Sequence, residues 1–165
     1  MEFKELLLRQ RKWIPKSRIL AFDPGETTGM AFFVDGELSE HAQLRTKDLN
    51  ESVSVIKLCI DTLQPDYIVM EDYKIYAWKT DTHTWATLHT PQLLGVIRTI
   101  AVLQGIPLET RMAVEAKTFC DNDKLEMWGL YKPGMRHARD AIRHGCFSLL
   151  FSKNVLFIKP NPTKE

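Results

Sequence analysis

The chain has little cysteine, almost no net charge and no long apolar run, and each shortage removes a class of protein. Its 165 residues include only Cys59, Cys120 and Cys146, an odd number at wide spacing. They offer neither a disulfide framework nor a metal-binding spacing, so a reducing, cytoplasmic setting is expected. No stretch of about 18 apolar residues occurs, and no membrane span is expected. The opening Met1-Glu2-Phe3-Lys4-Glu5-Leu6-Leu7-Leu8 is too short and too acidic to read as a signal peptide. His83 and His89 have no local cysteine partners, which argues against zinc. No G-x-S-x-G motif is present and no cysteine nucleophile signature is recognisable. Neither an internal repeat, a low-complexity segment nor a second domain is visible.

What remains is an ordinary globular composition, 44% hydrophobic and 26% charged, in a chain long enough to bury one core. The net charge of +1 does not announce a nucleic-acid binder. Its distribution is less even. Lys4, Arg9, Arg11, Lys12, Lys16 and Arg18 crowd the start of the chain against Glu2 and Glu5. Residues 1–17 therefore read as a basic helix or arm outside the main fold, ended by Pro15, either solvated or in contact with nucleic acid. A single domain over 18–160 and a frayed tail over 161–165 complete the division.

The stretch Ile19 to Val34 organises that domain. Ile19-Leu20-Ala21-Phe22 predicts a buried strand that ends on a carboxylate, Asp23. Pro24-Gly25 and Gly29 mark a turn, and the chain returns as a strand over 29–34. Asp35-Gly36 is a hairpin signal, with a third strand over 37–45. Leu49, Val53, Ile56, Ile60 and Leu63 predict one face of a helix, with Asp48 or Asn50 as its cap and Pro65 closing it. Asp66 to Glu71 is again a short apolar run ending in a carboxylate, read as a central parallel strand. The aromatic segment 72–89 reads as an excursion, and Thr90-Pro91 opens a helix with an apolar face at Leu93, Leu94, Ile97, Ile100 and Ala101. A strand over 106–112, a loop and short helix over 115–130, a helix over 135–151 and a short strand at 155–158 follow. Three antiparallel strands followed by helix–strand pairs predict an α/β fold: a five-stranded mixed sheet with helices on both faces.

In such a sheet Asp23 and Glu71 end adjacent strands at one edge. Two carboxylates in contact repel unless a cation compensates, and a hard divalent ion is the usual resolution. His137 and Asp140, three residues apart, share one face of the last helix and complete a candidate metal and catalytic set. Two ions roughly 4 Å apart would activate water and stabilise the leaving oxygen of a phosphodiester. Each residue also has an ordinary reading. Asp23 can start a turn, Glu71 can be a plain strand-end acid, and His137 can be solvated. Asp140 can pair with Arg136, Arg139 or Arg143 on the helix surface.

Asp23-Pro-Gly with Gly29 downstream, the strand ending at Glu71, and the helix His137-Ala-Arg-Asp140-Ala141 resemble, in that order, the RuvC-like Holliday junction resolvases of the RNase H-like superfamily. The phage-encoded members are the nearest in pattern. The resemblance implies an RNase H-like fold and a structure-specific endodeoxyribonuclease that cuts four-way DNA junctions by two-metal hydrolysis with Mg²⁺ or Mn²⁺. It implies the cytoplasm of a bacterial or phage-infected cell as the setting. Asp23, Glu71, His137 and Asp140 take the places of its catalytic and metal-binding residues, with histidine where aspartate is commoner at 137. Imidazole there favours Mn²⁺ over Mg²⁺. Lys117 and Lys124 fall where family members contact DNA phosphates, and Arg136 and Arg139 are further phosphate contacts. Lys74 and Tyr76, with Tyr73 and Trp78 nearby, fall where an aromatic wedges into the junction in resolvases, although a core role fits these aromatics equally. Two symmetric cuts in a four-way junction imply a homodimer, for which the helix over 90–104 offers a surface.

Flaps, forks, single strands or RNA are alternative substrates for the same chemistry. A reading of another class also exists. Asp23-Pro-Gly-Glu-Thr-Thr-Gly resembles the phosphate loop of actin-like ATPases and sugar kinases, although the second half such proteins need is not apparent.

Overall fold

A computed structural model describes residues 1–12, 14–74, 88–155 and 157–158. Its main sheet contains β2 (Arg18–Asp23), β3 (Thr27–Val34), β4 (Glu37–Arg45), β5 (Tyr67–Glu71) and β6 (Leu108–Arg111). They lie in the order β4-β3-β2-β5-β6. β2 pairs antiparallel with β3, and β3 antiparallel with β4; β2–β5 and β5–β6 are parallel. This is the expected mixed five-stranded sheet. The Asp35-Gly36 hairpin forms with positive φ at both residues, 50° and 85°, as a tight hairpin turn matched to strand twist requires.

Strand alternation builds two cores. Ile19, Ala21, Ala31, Phe33, Tyr67 and Val69 face one side. Leu20, Phe22, Met30, Phe32, Ile68 and Met70 face the other. The second face is covered by α2 (Leu49–Leu63) and α3 (His89–Leu103). The first is covered by α6 (Arg136–Phe151), with α4 (Ala113–Phe119) and α5 (Asn122–Met127) beside it. Burying a side chain such as Phe22 or Phe33 stabilises the fold by about 1.5–3 kcal/mol.

Local sequence chemistry sets most boundaries. Asp48 is the α2 cap, its side chain accepting from the Glu51 N–H at 2.9 Å. The buried face of α2 includes Ser52 where the apolar pattern pointed to Val53, which is 43% exposed. Ser52 fits because its hydroxyl donates to the Asp48 carbonyl one turn back, so burial leaves it satisfied. α3 begins at His89, one residue before the expected Thr90. The expected loop and single helix before α6 are two short helices, α4 and α5.

The N-terminal segment requires a correction. Its helix forms as α1 (Phe3–Arg11), but it is part of the domain rather than an appendage. Phe3 and Leu7 are buried in the core beneath α6. Arg11 donates from Nε to the Leu149 carbonyl at 3.1 Å and from Nη2 to the Ser152 carbonyl at 2.7 Å, satisfying the end of α6. The basic residues mask an amphipathic helix whose apolar side is narrow: Phe3 and Leu7 are buried, and Leu6 packs beside them. Beyond it, β1 (Ile14–Pro15) pairs antiparallel with β7 (Phe157–Ile158), within the expected C-terminal strand.

α6 lies unusually close to the sheet. A Cβ on Gly29 would stand 1.8 Å from the His137 carbonyl oxygen, and one on Gly145 would stand 2.3 Å from the Phe33 ring. Glycine at both positions admits the helix. Among the described residues, no helix is long and apolar enough to cross a membrane.

Candidate active site

The site follows from strand parity and register. Phe22 pairs with Met70, so the next residues, Asp23 and Glu71, emerge together at the same edge of the parallel β2–β5 pair. Asp23 continues the Ile19–Ala21 parity and Glu71 the Tyr67–Val69 parity, which places both on the α6 side. One row of the sheet then seats the start of α6. Asp23 pairs with Gly29, and Gly29 with Gln43. Gln43 Oε1 accepts from the His137 backbone N–H at 3.0 Å, and Gly29 provides the clearance. Asp23 Oδ2 lies 3.0 Å from His137 Nδ1.

The helix carries its polar groups one turn apart. His137, Asp140, His144 and Ser148 fall on the face toward the strand ends. His144 Nε2 lies 2.9 Å from Glu71 Oε2, and His144 is fully buried with Nδ1 unpartnered. Lys117, in the last turn of α4, places Nζ 3.1 Å from Glu71 Oε2 and 3.1 Å from Asp140 Oδ2. The other Asp140 oxygen, Oδ1, pairs with Arg143. Arg143 is anchored in turn, donating from Nε to the Cys120 carbonyl at 2.8 Å and from Nη2 to Asn122 Oδ1.

The electrostatics are those of crowded acids. Burial, then the charge of Glu71, push the Asp23 carboxyl up to about 6, against the hydrogen bond from His137. Burial also pushes Glu71 upward, but the His144 and Lys117 contacts outweigh it and hold it below the ordinary range. For Lys117, burial acts to lower the ammonium pKa; Glu71 and Asp140 overcome that and raise it.

All four sequence-derived residues, Asp23, Glu71, His137 and Asp140, thus lie in one neighbourhood. They are paired with partners there rather than gathered about one point. Among the described residues, no three acid, histidine or cysteine groups converge in a way that holds a metal ion. The donor chemistry nonetheless suits a hard divalent ion: carboxylate oxygens and an imidazole, a buried acid held near neutrality, and a cationic group already lying between two of the acids.

Lys117, expected among the phosphate contacts, stands inside the acidic cluster instead. Lys124 pairs with Asp121 at 3.0 Å. Arg136 is exposed at the start of α6, and Arg139 lies over the Tyr131 ring while donating to the Lys132 carbonyl at 2.9 Å. Lys74 is exposed just beyond β5, whereas Tyr76 and Trp78 lie outside the described residues. Sequence reasoning missed His144; it did weigh an Asp140–Arg143 pair, which forms, but as a surface contact rather than the buried anchor that also holds the Cys120 carbonyl and Asn122. Helical spacing contained the signal for His144, which is four residues after Asp140 on the same stripe. The Asp23–Gly29 turn is closed on itself: the Thr46 hydroxyl donates to the Gly25 carbonyl at 2.6 Å and accepts from the Thr28 hydroxyl at 2.7 Å. Nothing in that arrangement favours a phosphate-cradling loop. The cysteines are free thiols, and burial pushes Cys59 up to about 11 and Cys120 up to about 12, which suits inert core positions.

No protein-family model matches the chain, and no curated protein matches it. Solved structures do. RuvC of T. thermophilus in complex with a Holliday junction substrate shares 12% identity over 86% of this chain and 99% of that chain, with a TM-score of 0.67. A second Thermus thermophilus RuvC structure shares 14% identity over 81% of this chain and 93% of its own, with a TM-score of 0.62. The yeast mitochondrial Holliday junction resolvase Ydc2 shares 14% identity over 88% of this chain and 84% of its own, with a TM-score of 0.56. At these identities the likeness speaks to architecture, and in architecture the chain has the RNase H-like fold of these resolvases.

Proposed function

We propose that this protein is a metal-dependent, structure-specific endodeoxyribonuclease, and that its substrate is the four-way DNA junction. The observation that carries the reading is the meeting of Asp23, Glu71, His137 and Asp140 at one sheet edge, in a fold shared with a RuvC structure in complex with a Holliday junction substrate and with a yeast Holliday junction resolvase. Divalent ions, Mg²⁺ or Mn²⁺, supply an activated water and neutralise the leaving oxygen when bound.

The chain's own residues do the rest. Asp23, Glu71, His137 and Asp140 are the ligands. The His137 ring N–H directs the Asp23 carboxylate, and the buried His144 does the same for Glu71. Arg143 fixes one oxygen of Asp140 and leaves the other toward the cleft. Lys124, Arg136 and Arg139 hold phosphates, and Lys74 and Tyr76 serve the branch point. Two such sites, one per subunit of a homodimer, make the paired cuts.

Cleavage of matched four-way junction, flap, fork, single-strand, RNA and linear duplex substrates, with each metal, tests the substrate. Symmetric nicking of the junction with the linear duplex spared is the expected result. Preferential cutting of flaps, single strands or RNA would reassign the substrate and keep the chemistry. Inertness on every substrate would remove the nuclease reading.

A further inference from the structure

The cation at the centre of the acidic cluster belongs to the protein. Lys117 Nζ is equidistant, at 3.1 Å, from Glu71 Oε2 and Asp140 Oδ2. Glu71 ends a strand and Asp140 is set on a helix, so the ammonium joins two elements that carry like charge to the same edge. Without it, two acids beside a third, Asp23, would repel in a partly desolvated space.

Two cations touch Asp140, and they are held very differently. Arg143 has an 11% exposed side chain and spends its guanidinium on Asp140, the Cys120 carbonyl and Asn122, so it has no alternative position without breaking three contacts. Lys117 has a 36% exposed side chain, stands in the last turn of the seven-residue helix α4, and among the described residues its ammonium meets only those two acids. A lysine side chain has four flexible carbons and a compact ammonium head. Of the two, Lys117 can leave without disturbing the fold.

We propose that Lys117 is a built-in counter-ion that holds Glu71 and Asp140 in place in the metal-free protein and competes with the divalent ion for them. This rests on the nuclease reading, because it concerns the same acids. It accounts for the paired rather than convergent arrangement of the ligands: while the ammonium bridges Glu71 and Asp140, they are spaced for it. Loading the site expels Lys117 toward solvent at the rim of the cleft. There its charge is available to a phosphate group only once the acids are occupied. The protein would thus bind divalent ions weakly alone, and more tightly once a polyanion accepts the released ammonium, since the two events favour each other.

Mn²⁺ binding to the full-length, DNA-free protein, followed by the loss of the free-ion electron paramagnetic resonance signal, tests this directly. Lys117→Met and Lys117→Gln should each bind Mn²⁺ about tenfold more tightly than the unmodified chain. Lys117→Arg should show no gain, because the charge persists. Lys57→Met, which removes a surface lysine paired with Asp61 on α2, controls for net charge and should change nothing. Asp23→Asn should weaken binding, which locates the measured ion at this site. If both neutral variants bind Mn²⁺ no better than the unmodified chain, the counter-ion role is wrong and the nuclease reading stands. If neither they nor the unmodified chain take up Mn²⁺ at millimolar concentration, both fail together.

Discussion

Two polar clusters lie along the same face of α6, and they are balanced in opposite ways. Toward its C-terminal end, Glu109 and Arg111 on β6 form an ion pair, Tyr67 Oη and Ser152 Oγ donate to Glu109, and Arg111 Nε donates to Ser148 Oγ at 3.2 Å. Acid meets base, and hydroxyls satisfy the remainder. Toward its N-terminal end, Asp23, Glu71 and Asp140 face Lys117, Arg143 and two imidazoles, and burial together with Glu71 still pushes the Asp23 carboxyl up to about 6. Both clusters lie between α6 and β5, the first completed by β6 and the second by β2 and α4. One is complete within the protein, while the other retains an acid whose charge the fold does not fully compensate. Such a deficit is what the proposed binding of a divalent ion would relieve.

The comparison is broken most severely by testing chemistry. Asp23→Asn keeps the hydrogen bond to His137 and removes a ligand charge, so junction cleavage should fall about a thousandfold while junction binding persists. Arg111→Met, at the balanced cluster, should leave the cleavage rate within about twofold once its folded fraction is allowed for. Equal losses at both positions would erase the distinction between the clusters.

Stability should move in opposite directions. Asp23 has its folded pKa raised from 3.8 to about 6, so the native state favours the proton. That stabilisation is full below pH of about 4 and is lost as pH climbs to about 6, leaving a penalty of about 2–3 kcal/mol at pH 7. Without divalent ions, Asp23→Asn should therefore raise stability at pH 7.5 by up to that amount, and the gain should vanish near pH 4. Arg111→Met strands Glu109 beside two hydroxyls and should cost about 1–3 kcal/mol at pH 7.5. Urea melts of the three proteins at both pH values measure each term.

The sheet was legible because its information is local. Ile19 to Phe22 and Tyr67 to Met70 are runs of the length and branching that strands require, and Asp35-Gly36 names its own turn. The Asp23–Glu71 adjacency was legible too, since a parallel pair with carboxylates at both ends aligns them. His137 and Asp140 followed from helical spacing. The places that resisted involve residues whose role is decided by what lies opposite. Lys117 looks like any surface lysine until α4 is set against α6. Phe3 and Leu7 are too few to outvote the basic residues around them. His144 is an isolated imidazole in sequence and a buried partner of Glu71 in space.

His144 supplies the next test in size. It touches Glu71 but not the cleft, so it is a positioning residue. His144→Phe should lower the cleavage rate about tenfold, with substrate affinity little changed, and His144→Gln should recover much of the loss by restoring a donor. A merely structural role would be rescued by Phe rather than by Gln.

The smallest effect concerns the metal itself. The His137 imidazole has its Nδ1 engaged by Asp23, which leaves Nε2 as the nitrogen that would ligate an ion under the proposed function. Mn²⁺ accepts a nitrogen donor more readily than Mg²⁺, which prefers oxygen. Saturating Mn²⁺ should therefore give a several-fold higher cleavage rate than saturating Mg²⁺. His137→Asp should reduce that ratio by restoring an all-oxygen set, although it forfeits the hydrogen bond to Asp23. Because Asp23 already carries the charge deficit that separates the two clusters, the added carboxylate should also raise the Asp23 pKa further. The variant should then need a higher pH to reach full activity with either ion. An unchanged metal ratio together with an unshifted pH profile would show that His137 is not a ligand and only steadies Asp23.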